Sequence, residues 1–273
     1  MIKLYATDID HTIYNSEHDA IPAKNIDAIN KLVEKGVKVC LVSSRTTQPI
    51  MKYVDMFHLK ENGGFVVSDT GAVVIDCASG ETVSRQCLLD EDVEHLGQLA
   101  HKIGVKYRIA YDDHVVSEGF GQIDKYDLDV CDLNIIVTND YHRFLSDVKP
   151  CRVSFYDDNR NVNDIYALIP EEDKERYNFV ASQTTVIDVS RKCVSKAAGL
   201  QKVLDILGID GSEVAVTGDG DNDISMFEIA GISGCVANGS QNAKDAATYQ
   251  LASDWDGGAA DFINAYILGE END

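Results

Sequence analysis

The chain has 273 residues, of which 44% are hydrophobic and 26% are charged, and its formal net charge is -22 at pH 7. The length is sufficient for one large or two modest domains, and we expect two. A surface this acidic disfavours nucleic acid and anionic membranes as partners, and no apolar run approaches the roughly 18 residues that a membrane-spanning helix needs.

The N-terminal sequence and the cysteines predict a cytoplasmic protein. The sequence MIKLYATDID reaches acidic residues without the basic and apolar segments of a signal peptide. Seven cysteines are widely spaced and never form a CxxC pair, which disfavours a disulfide framework and a structural zinc site.

Strands and helices are predicted to alternate over the first part of the chain. Pro22 suits the first turn of a helix, and Gly36 suits its end. The apolar run VKVCLV is typical of a strand that is buried on both faces. The predicted elements are a strand at 2–6, a helix at 22–36, a strand at 37–42, a helix at 47–58, and a strand with the start of a hairpin within 64–76.

The middle of the chain, residues 83–189, has a different pattern and is predicted to be an inserted α+β unit. Strand-like runs occur at 105–111, 133–138, 151–156 and 184–189, and helical stretches occur at 90–103 and 162–177.

The last part of the chain returns to alternation. The spacing of its apolar residues predicts a helix up to Gly208. After it we expect a strand at 213–217, a helix through 226–230, a strand at 232–236, a short helix at 242–247 and a final helix at 259–268. The alternation at both ends predicts an α/β fold with a doubly wound parallel sheet, whose ligands bind at the carboxyl ends of the strands.

Polar residues follow three of the predicted core strands and are expected to meet at one edge of the sheet. Asp8 and Asp10 follow the first strand, Ser43 follows the second, and Asp219 and its acidic neighbours follow the strand EVAVT. Two carboxylates about 4 Å apart repel by about 4 kcal/mol at a surface-like dielectric, so a divalent cation is the natural neutraliser. All-oxygen ligands favour Mg²⁺, and the absence of HxxxH pairs disfavours zinc.

Four short motifs identify a resemblance to a known family. They are DIDHT (8–12), VSSR (42–45), VSK (194–196) and GDGDND (218–223). In order and spacing they resemble the motifs of the haloacid dehalogenase superfamily of phosphohydrolases, and the tail at 235–263 resembles its Cof-type branch, subclass IIB. The resemblance implies a Rossmann-like core formed by 1–82 and 190–273, with 83–189 as an inserted cap domain of the C2 type.

The resemblance also implies roles for individual residues. Asp8 is expected to attack phosphorus and form an aspartyl-phosphate, and Asp10 is expected to act as general acid and then as general base. The expected phosphate-binding residues are Ser43, Lys196, Thr12 and Asn222. The expected Mg²⁺ ligands are Asp8, Asp10 through its backbone carbonyl, Asp219 and Asp223.

Three positions depart from the pattern of the family. His11 stands where glycine is most common, VSSR replaces ATGR, and TGA at 70–72 replaces NGA. None of these departures removes a group that is expected to take part in catalysis.

The family branch implies a Mg²⁺-dependent phosphatase of small phosphorylated metabolites, sugar phosphates above all. A phosphosugar mutase with the same site is the alternative, and a receiver module that stores an aspartyl-phosphate is a weaker one. Specificity is expected to come from the inserted unit, in which His114, Tyr111, Arg152, Tyr156 and Asn134 are the candidates. The oligomeric state stays open.

Overall fold

The computed structural model describes residues 1–141 and 149–270, which divide into two compact units. The first unit comprises Met1–Ser43, Ile50–Ser84 and Ser195–Asp273, and the second comprises Ser44–Pro49 and Arg85–Val194. Within the described residues no helix combines the length and the apolar character that crossing a membrane requires.

The described residues contain strands and helices with the following bounds. The strands are β1 (Leu4–Thr7), β2 (Lys38–Val42), β3 (Phe65–Ser68), β4 (Val73–Asp76), β5 (Glu81–Arg85), β6 (Lys106–Ala110), β7 (His114–Ser117), β8 (Asn134–Val137), β9 (Arg152–Tyr156), β10 (Tyr177–Gln183), β11 (Val186–Arg191), β12 (Val214–Gly218), β13 (Ile232–Cys235) and β14 (Tyr249–Gln250). The helices are α1 (Ala23–Glu34), α2 (Thr47–Met56), α3 (Leu59–Asn62), α4 (Asp90–Ile103), α5 (Gln122–Asp129), α6 (Val162–Ala167), α7 (Glu171–Arg176), α8 (Lys196–Leu207), α9 (Ile224–Ile229), α10 (Gln241–Ala246) and α11 (Gly258–Phe262), which continues into a π-helical segment (Ile263–Leu268).

The first unit is built on an eight-stranded sheet with the order β14-β13-β12-β1-β2-β3-β4-β5. The strands from β14 to β3 are parallel, and β4 runs antiparallel to β3. The strand order reverses at β1, which lies between β2 and β12. In an open α/β sheet, the carboxyl ends of the strands at such a reversal form the usual ligand site. The predicted α/β class with a parallel sheet is confirmed.

The core of the first unit follows from the alternation of side chains along β1. Leu4 and Ala6 belong to a buried cluster that includes Leu200 and Val203 of α8. Tyr5 points to the other face, where its buried hydroxyl lies 2.6 Å from Oγ1 of Thr217. β1 is therefore buried on both faces, as its three consecutive apolar residues Leu4, Tyr5 and Ala6 indicate.

The second unit has a six-stranded sheet with the order β10-β11-β9-β6-β7-β8. Its strand pairs are antiparallel except for β7 and β8, which are parallel. Buried side chains of α4, including Leu96, pack with Tyr107 of β6 and Phe155 of β9 to form the core of this unit.

Several elements differ from the sequence predictions. The helix expected at 162–177 is two short helices, because Pro170 disfavours helical backbone at the residue before it, and Tyr177 begins a strand instead. The helix expected at 47–58 ends at Met56, since His58 has a left-handed backbone. The helices α3 and α5 and the strands β5, β7, β10 and β14 are absent from the elements predicted from the sequence.

Candidate active site

The polar residues predicted to meet at the sheet edge follow the carboxyl ends of β1, β2 and β12. Asp8 follows β1, and its backbone N–H donates to the carbonyl of Thr217 at 3.0 Å. Ser43 follows β2 and is buried, with its N–H donating to the carbonyl of Val67 at 2.8 Å. Asp219 follows β12. Parallel pairing of these strands therefore brings together segments more than 200 residues apart.

Lys196 connects two of the predicted carboxylates. Its Nζ lies 2.9 Å from Oδ1 of Asp8 and 2.6 Å from Oδ1 of Asp223, and its side chain is only 1% exposed. Lys196 is the first residue of α8, whose N-terminus is capped by the Ser195 hydroxyl accepting from the N–H of Ala198 at 3.1 Å. The cap fixes the first turn of the helix, and this turn directs the ammonium group towards the acids.

A strained turn packs against the start of α8, the helix that begins at Lys196. Asp69, Thr70 and Gly71 all have positive φ angles, of 50°, 59° and 105°. A Cβ atom on Gly71 would lie 1.9 Å from the carbonyl oxygen of Ser195, so only glycine allows this approach. The Thr70 N–H donates to the carbonyl of Ser43 at 3.1 Å. The sequence DTG between two apolar runs indicates a turn but does not predict its contact with Ser195.

The loop after β12 is held by one of its own acids. Oδ2 of Asp223 accepts hydrogen bonds from the N–H groups of Asp219 and Gly220, both at 2.9 Å. The buried Thr12 hydroxyl donates to Oδ1 of Asp219 at 3.1 Å and so links the first motif to the last. Phosphate binding by Thr12 stays a prediction, and its hydroxyl contacts the Asp219 carboxylate in this structure.

Asp10 and Asn222, which complete the predicted set, are both half-buried. Asp10 pairs with Tyr14 in an isolated bridge, so the loop after Asp8 curls back on itself. His11 within this loop has φ 58°, and its N–H donates to the carbonyl of Tyr14 at 2.8 Å. The left-handed conformation explains why a glycine suits this position. Asn222 lies in the 3₁₀ turn Asp221–Asp223.

The electrostatics of the site are those of crowded, buried acids. Burial raises the pKa of Asp8 well above its ordinary value; Lys196 opposes the shift, and the charges of Asp223 and Asp219 add to it. Burial together with the charge of Asp223 raises the pKa of Asp219 to about 7. Burial disfavours the charged form of Lys196, but Asp223 and Asp8 outweigh this effect, and its pKa is raised.

The charges and spacing of this group fit a divalent metal ion. Carboxylate oxygens of Asp8, Asp219 and Asp223 all lie within 4.8 Å of one another. Magnesium binds oxygen at about 2.1 Å in octahedral geometry, which places opposite ligands about 4 Å apart. The three carboxylates carry three negative charges and Lys196 carries one positive charge. The remaining two negative charges are neutralised by a divalent cation. Both oxygens of Asp223 already accept hydrogen bonds, so Asp8 and Asp219 are the more available ligands.

Comparisons with known proteins agree with this geometry. The model of a family described as haloacid dehalogenase-like hydrolases matches residues 5–263. A putative phosphatase, YxeH of Bacillus subtilis, is 26% identical over 272 residues, which cover 99% of this chain and 100% of that protein.

Solved structures with the same fold cover almost the whole chain. A haloacid dehalogenase-like hydrolase from Bacteroides thetaiotaomicron has a TM-score of 0.85 at 24% identity, covering 97% of this chain and 99% of that one. The subclass IIB sugar phosphatase BT4131 has a TM-score of 0.83 at 20% identity, covering 97% of this chain and 98% of that one. At these identities the likeness establishes the fold.

Proposed function

The chain belongs to the haloacid dehalogenase-like hydrolases and is a phosphatase of that family, and we propose that it hydrolyses small phosphate monoesters through an aspartyl-phosphate on Asp8. The contact of Lys196 with both Asp8 and Asp223 is the observation that carries the proposal. It places a buried cation beside the expected nucleophile.

In the proposed first step, a carboxylate oxygen of Asp8 forms a bond to phosphorus while the bond from phosphorus to the ester oxygen breaks. Lys196 offsets the charge of Asp8 and stabilises the negative charge on the phosphoryl oxygens in the transition state. Ser43, at the end of β2, is the proposed hydrogen-bond donor to the same oxygens.

Asp10 is the proposed acid and base. As the ester bond breaks, its carboxyl gives a proton to the departing alcohol oxygen. In the second step its carboxylate takes a proton from the water whose oxygen bonds to phosphorus. The bond between phosphorus and the Asp8 carboxylate oxygen breaks at the same time, which regenerates Asp8 and releases inorganic phosphate. The curled loop at Asp10 supports this role. In an extended strand, Asp8 and Asp10 would lie on the same face but about 7 Å apart, whereas a loop that curls back can bring the two carboxyl groups closer to one ester oxygen.

Asp8 and Asp219 would hold Mg²⁺ together with the backbone carbonyl of Asp10, and Asp223 and Asn222 would orient this shell. The bound ion would supply charge neutralisation between the carboxylate and the anionic ester. The Asp223 carboxylate holds the loop in place for that arrangement through the N–H groups of Asp219 and Gly220.

Sugar phosphates are the proposed substrates, and the second unit is the proposed cap that selects among them. The name of the structural neighbour BT4131 as a subclass IIB sugar phosphatase supports this choice. The net charge of -22 also favours a small substrate over a nucleic acid.

The test is release of inorganic phosphate from 4-nitrophenyl phosphate and from a panel of hexose and pentose phosphates in the presence of Mg²⁺. We expect turnover that disappears in Asp8→Asn, and activity that survives this change would overturn the mechanism. Recovery of an isomerised phosphosugar in place of free phosphate would instead support the mutase. A stable acyl-phosphate without release would support the receiver.

A further inference from the structure

His11, in the loop that carries Asp10, has an unfavourable backbone conformation. A non-glycine residue with φ 58° occupies the left-handed region, which side chains with a Cβ atom adopt only with support from their surroundings. The His11 imidazole is exposed and does not anchor the loop in the interior. The support must therefore come from the main-chain groups of His11.

Asn238 supplies a hydrogen bond to that main chain. Its Nδ2 donates to the carbonyl oxygen of His11 at 2.7 Å, and its Oδ1 accepts from the backbone N–H of Asp254 at 2.9 Å. One partner can only accept and the other can only donate, so the orientation of the amide is determined by its contacts. Asn238 therefore bridges the first motif to a segment near the end of the chain.

Asp254, at the other end of this bridge, makes further hydrogen bonds. Asp254 is 4% exposed, and its carboxylate accepts from Nδ2 of Asn15 at 3.0 Å and from the N–H of Trp255 at 2.8 Å. Asn15 lies just beyond Tyr14, at the other end of the curled loop. The segment at Asp254 thus holds the loop at two points, directly at Asn15 and through Asn238 at His11.

We propose that Asn238 is a positioning residue that keeps His11 left-handed and thereby aligns the Asp10 carboxyl with the departing ester oxygen. The inference rests on the proposed function, because it takes Asp10 as the proton donor. Without the bond from Asn238, the peptide after His11 is free to rotate towards negative φ, and Asp10 and Thr12 on either side of it turn with it. Proton transfer is sensitive to such shifts because donor and acceptor must be within hydrogen-bond reach.

Two aryl phosphates separate a loss of proton donation from a general loss of structure. The 4-nitrophenolate group leaves readily without a proton, whereas the more basic phenolate depends on one. The measurement is kcat/KM for phenyl phosphate and for 4-nitrophenyl phosphate, with Mg²⁺, in the full chain. For Asn238→Ala we expect a loss on phenyl phosphate about tenfold larger than the loss on 4-nitrophenyl phosphate.

Asn238→Asp is the second variant, since it keeps the size of the side chain and the acceptor for Asp254 but sets a carboxylate oxygen against the carbonyl of His11. We expect the same difference between the two esters. Asn62→Ala is the matched control, because Nδ2 of this exposed asparagine donates at 2.9 Å to the carbonyl of another left-handed histidine, His58. It should change neither value.

An equal loss on both esters in the Asn238 variants, or no loss on either, overturns the inference. Two other variants test the proposed function separately. Activity that survives in Asp8→Asn would overturn it, as would an Asp10→Asn variant whose loss of kcat/KM is no greater on phenyl phosphate than on 4-nitrophenyl phosphate.

Discussion

The ammonium group of Lys196 lies 2.6 Å from Asp223 and 2.9 Å from Asp8, and the lysine and Asp223 side chains are almost completely buried. One cation thus holds two acids that would otherwise repel each other in a medium of low dielectric. The expected consequences concern both the catalysis and the stability of the first unit.

Replacing the cation should therefore damage activity and folding together. For Lys196→Gln we expect kcat to fall about a hundredfold or more, and the free energy of unfolding to fall by about 3 kcal/mol. Phosphate release and urea unfolding measure the two effects. Lys31→Gln is the control, because Lys31 pairs with Glu270 at the exposed surface, and should change stability by less than about 0.5 kcal/mol.

The close approach of Gly71 to Ser195 predicts a sensitive position outside the motifs. In Gly71→Ala the new Cβ would overlap the Ser195 carbonyl, so the start of α8 must shift, at a cost of about 2 to 4 kcal/mol and with a fall in kcat. Gly80→Ala tests the backbone effect alone, since Gly80 also has a positive φ of 72° but no atom within 4 Å of its Cβ position. It should cost about 1 kcal/mol and leave kcat unchanged. Equal effects of the two substitutions would contradict the proposed contact.

The hydroxyl of Thr12 should influence metal affinity through Asp219. Thr12→Val removes the donor to Oδ1 of Asp219, and we expect Mg²⁺ to bind about tenfold more weakly in calorimetric titrations. Thr12→Ser retains a hydroxyl and should bind Mg²⁺ as the unchanged protein does. Equal weakening in both variants would indicate that the methyl group, and not the hydroxyl, determines the effect.

Metal removal should be visible in stability as well as in activity. The three crowded carboxylates repel one another without a divalent ion, so chelation by EDTA is expected to abolish turnover and lower the melting temperature, and added Mg²⁺ to restore both. The restored shift should be smaller in Asp219→Asn. A melting temperature indifferent to Mg²⁺ in the unchanged protein would argue against a metal site at this sheet edge.

The second unit contains an acid whose titration should destabilise it. Burial raises the pKa of Asp92, but hydrogen bonds from Tyr177, the Leu89 N–H and Arg176 outweigh burial and lower it. Because the pKa of Asp92 is lower in the folded protein than in the unfolded chain, its carboxylate stabilises the fold. This contribution is fully present at pH values above the pKa of the unfolded chain, and it is lost as the pH falls through the lower pKa of the folded protein. Unfolding of the protein followed from pH 6 down to pH 2 should therefore show less acid dependence in Asp92→Asn than in the unchanged chain.

Much of the first unit could be predicted because its periodicity is strong. The run VKVCLV indicates a strand buried on both faces, and Gly208, with φ 62°, ends α8 where the apolar spacing ends. Strand ends in a parallel sheet share an edge, so the sequence alone places Asp8, Ser43 and Asp219 together.

What could not be predicted depends on contacts between distant segments. The sequence from Glu171 to Tyr177 is rich in charge and reads as helix, whereas the pairing of β10 with β11 makes a strand of its end. The hydrogen bond of Asn238 to His11 joins residues 227 apart and leaves no local pattern. The partners of side chains in the second unit were equally unpredictable from the sequence. Arg152, a candidate for substrate contact, forms an ion pair with Asp188 at 2.8 Å.

The position of β1 between β2 and β12 also has a consequence for biosynthesis. The contact between the hydroxyls of Tyr5 and Thr217 spans 212 residues, so the first strand leaves the ribosome long before its second partner exists. Asp8 therefore meets Lys196 and Asp219 only after the chain has been made at least as far as Asp219. During refolding, the return of phosphate release should be among the slowest signals, because it reports the closing of the sheet around its first strand.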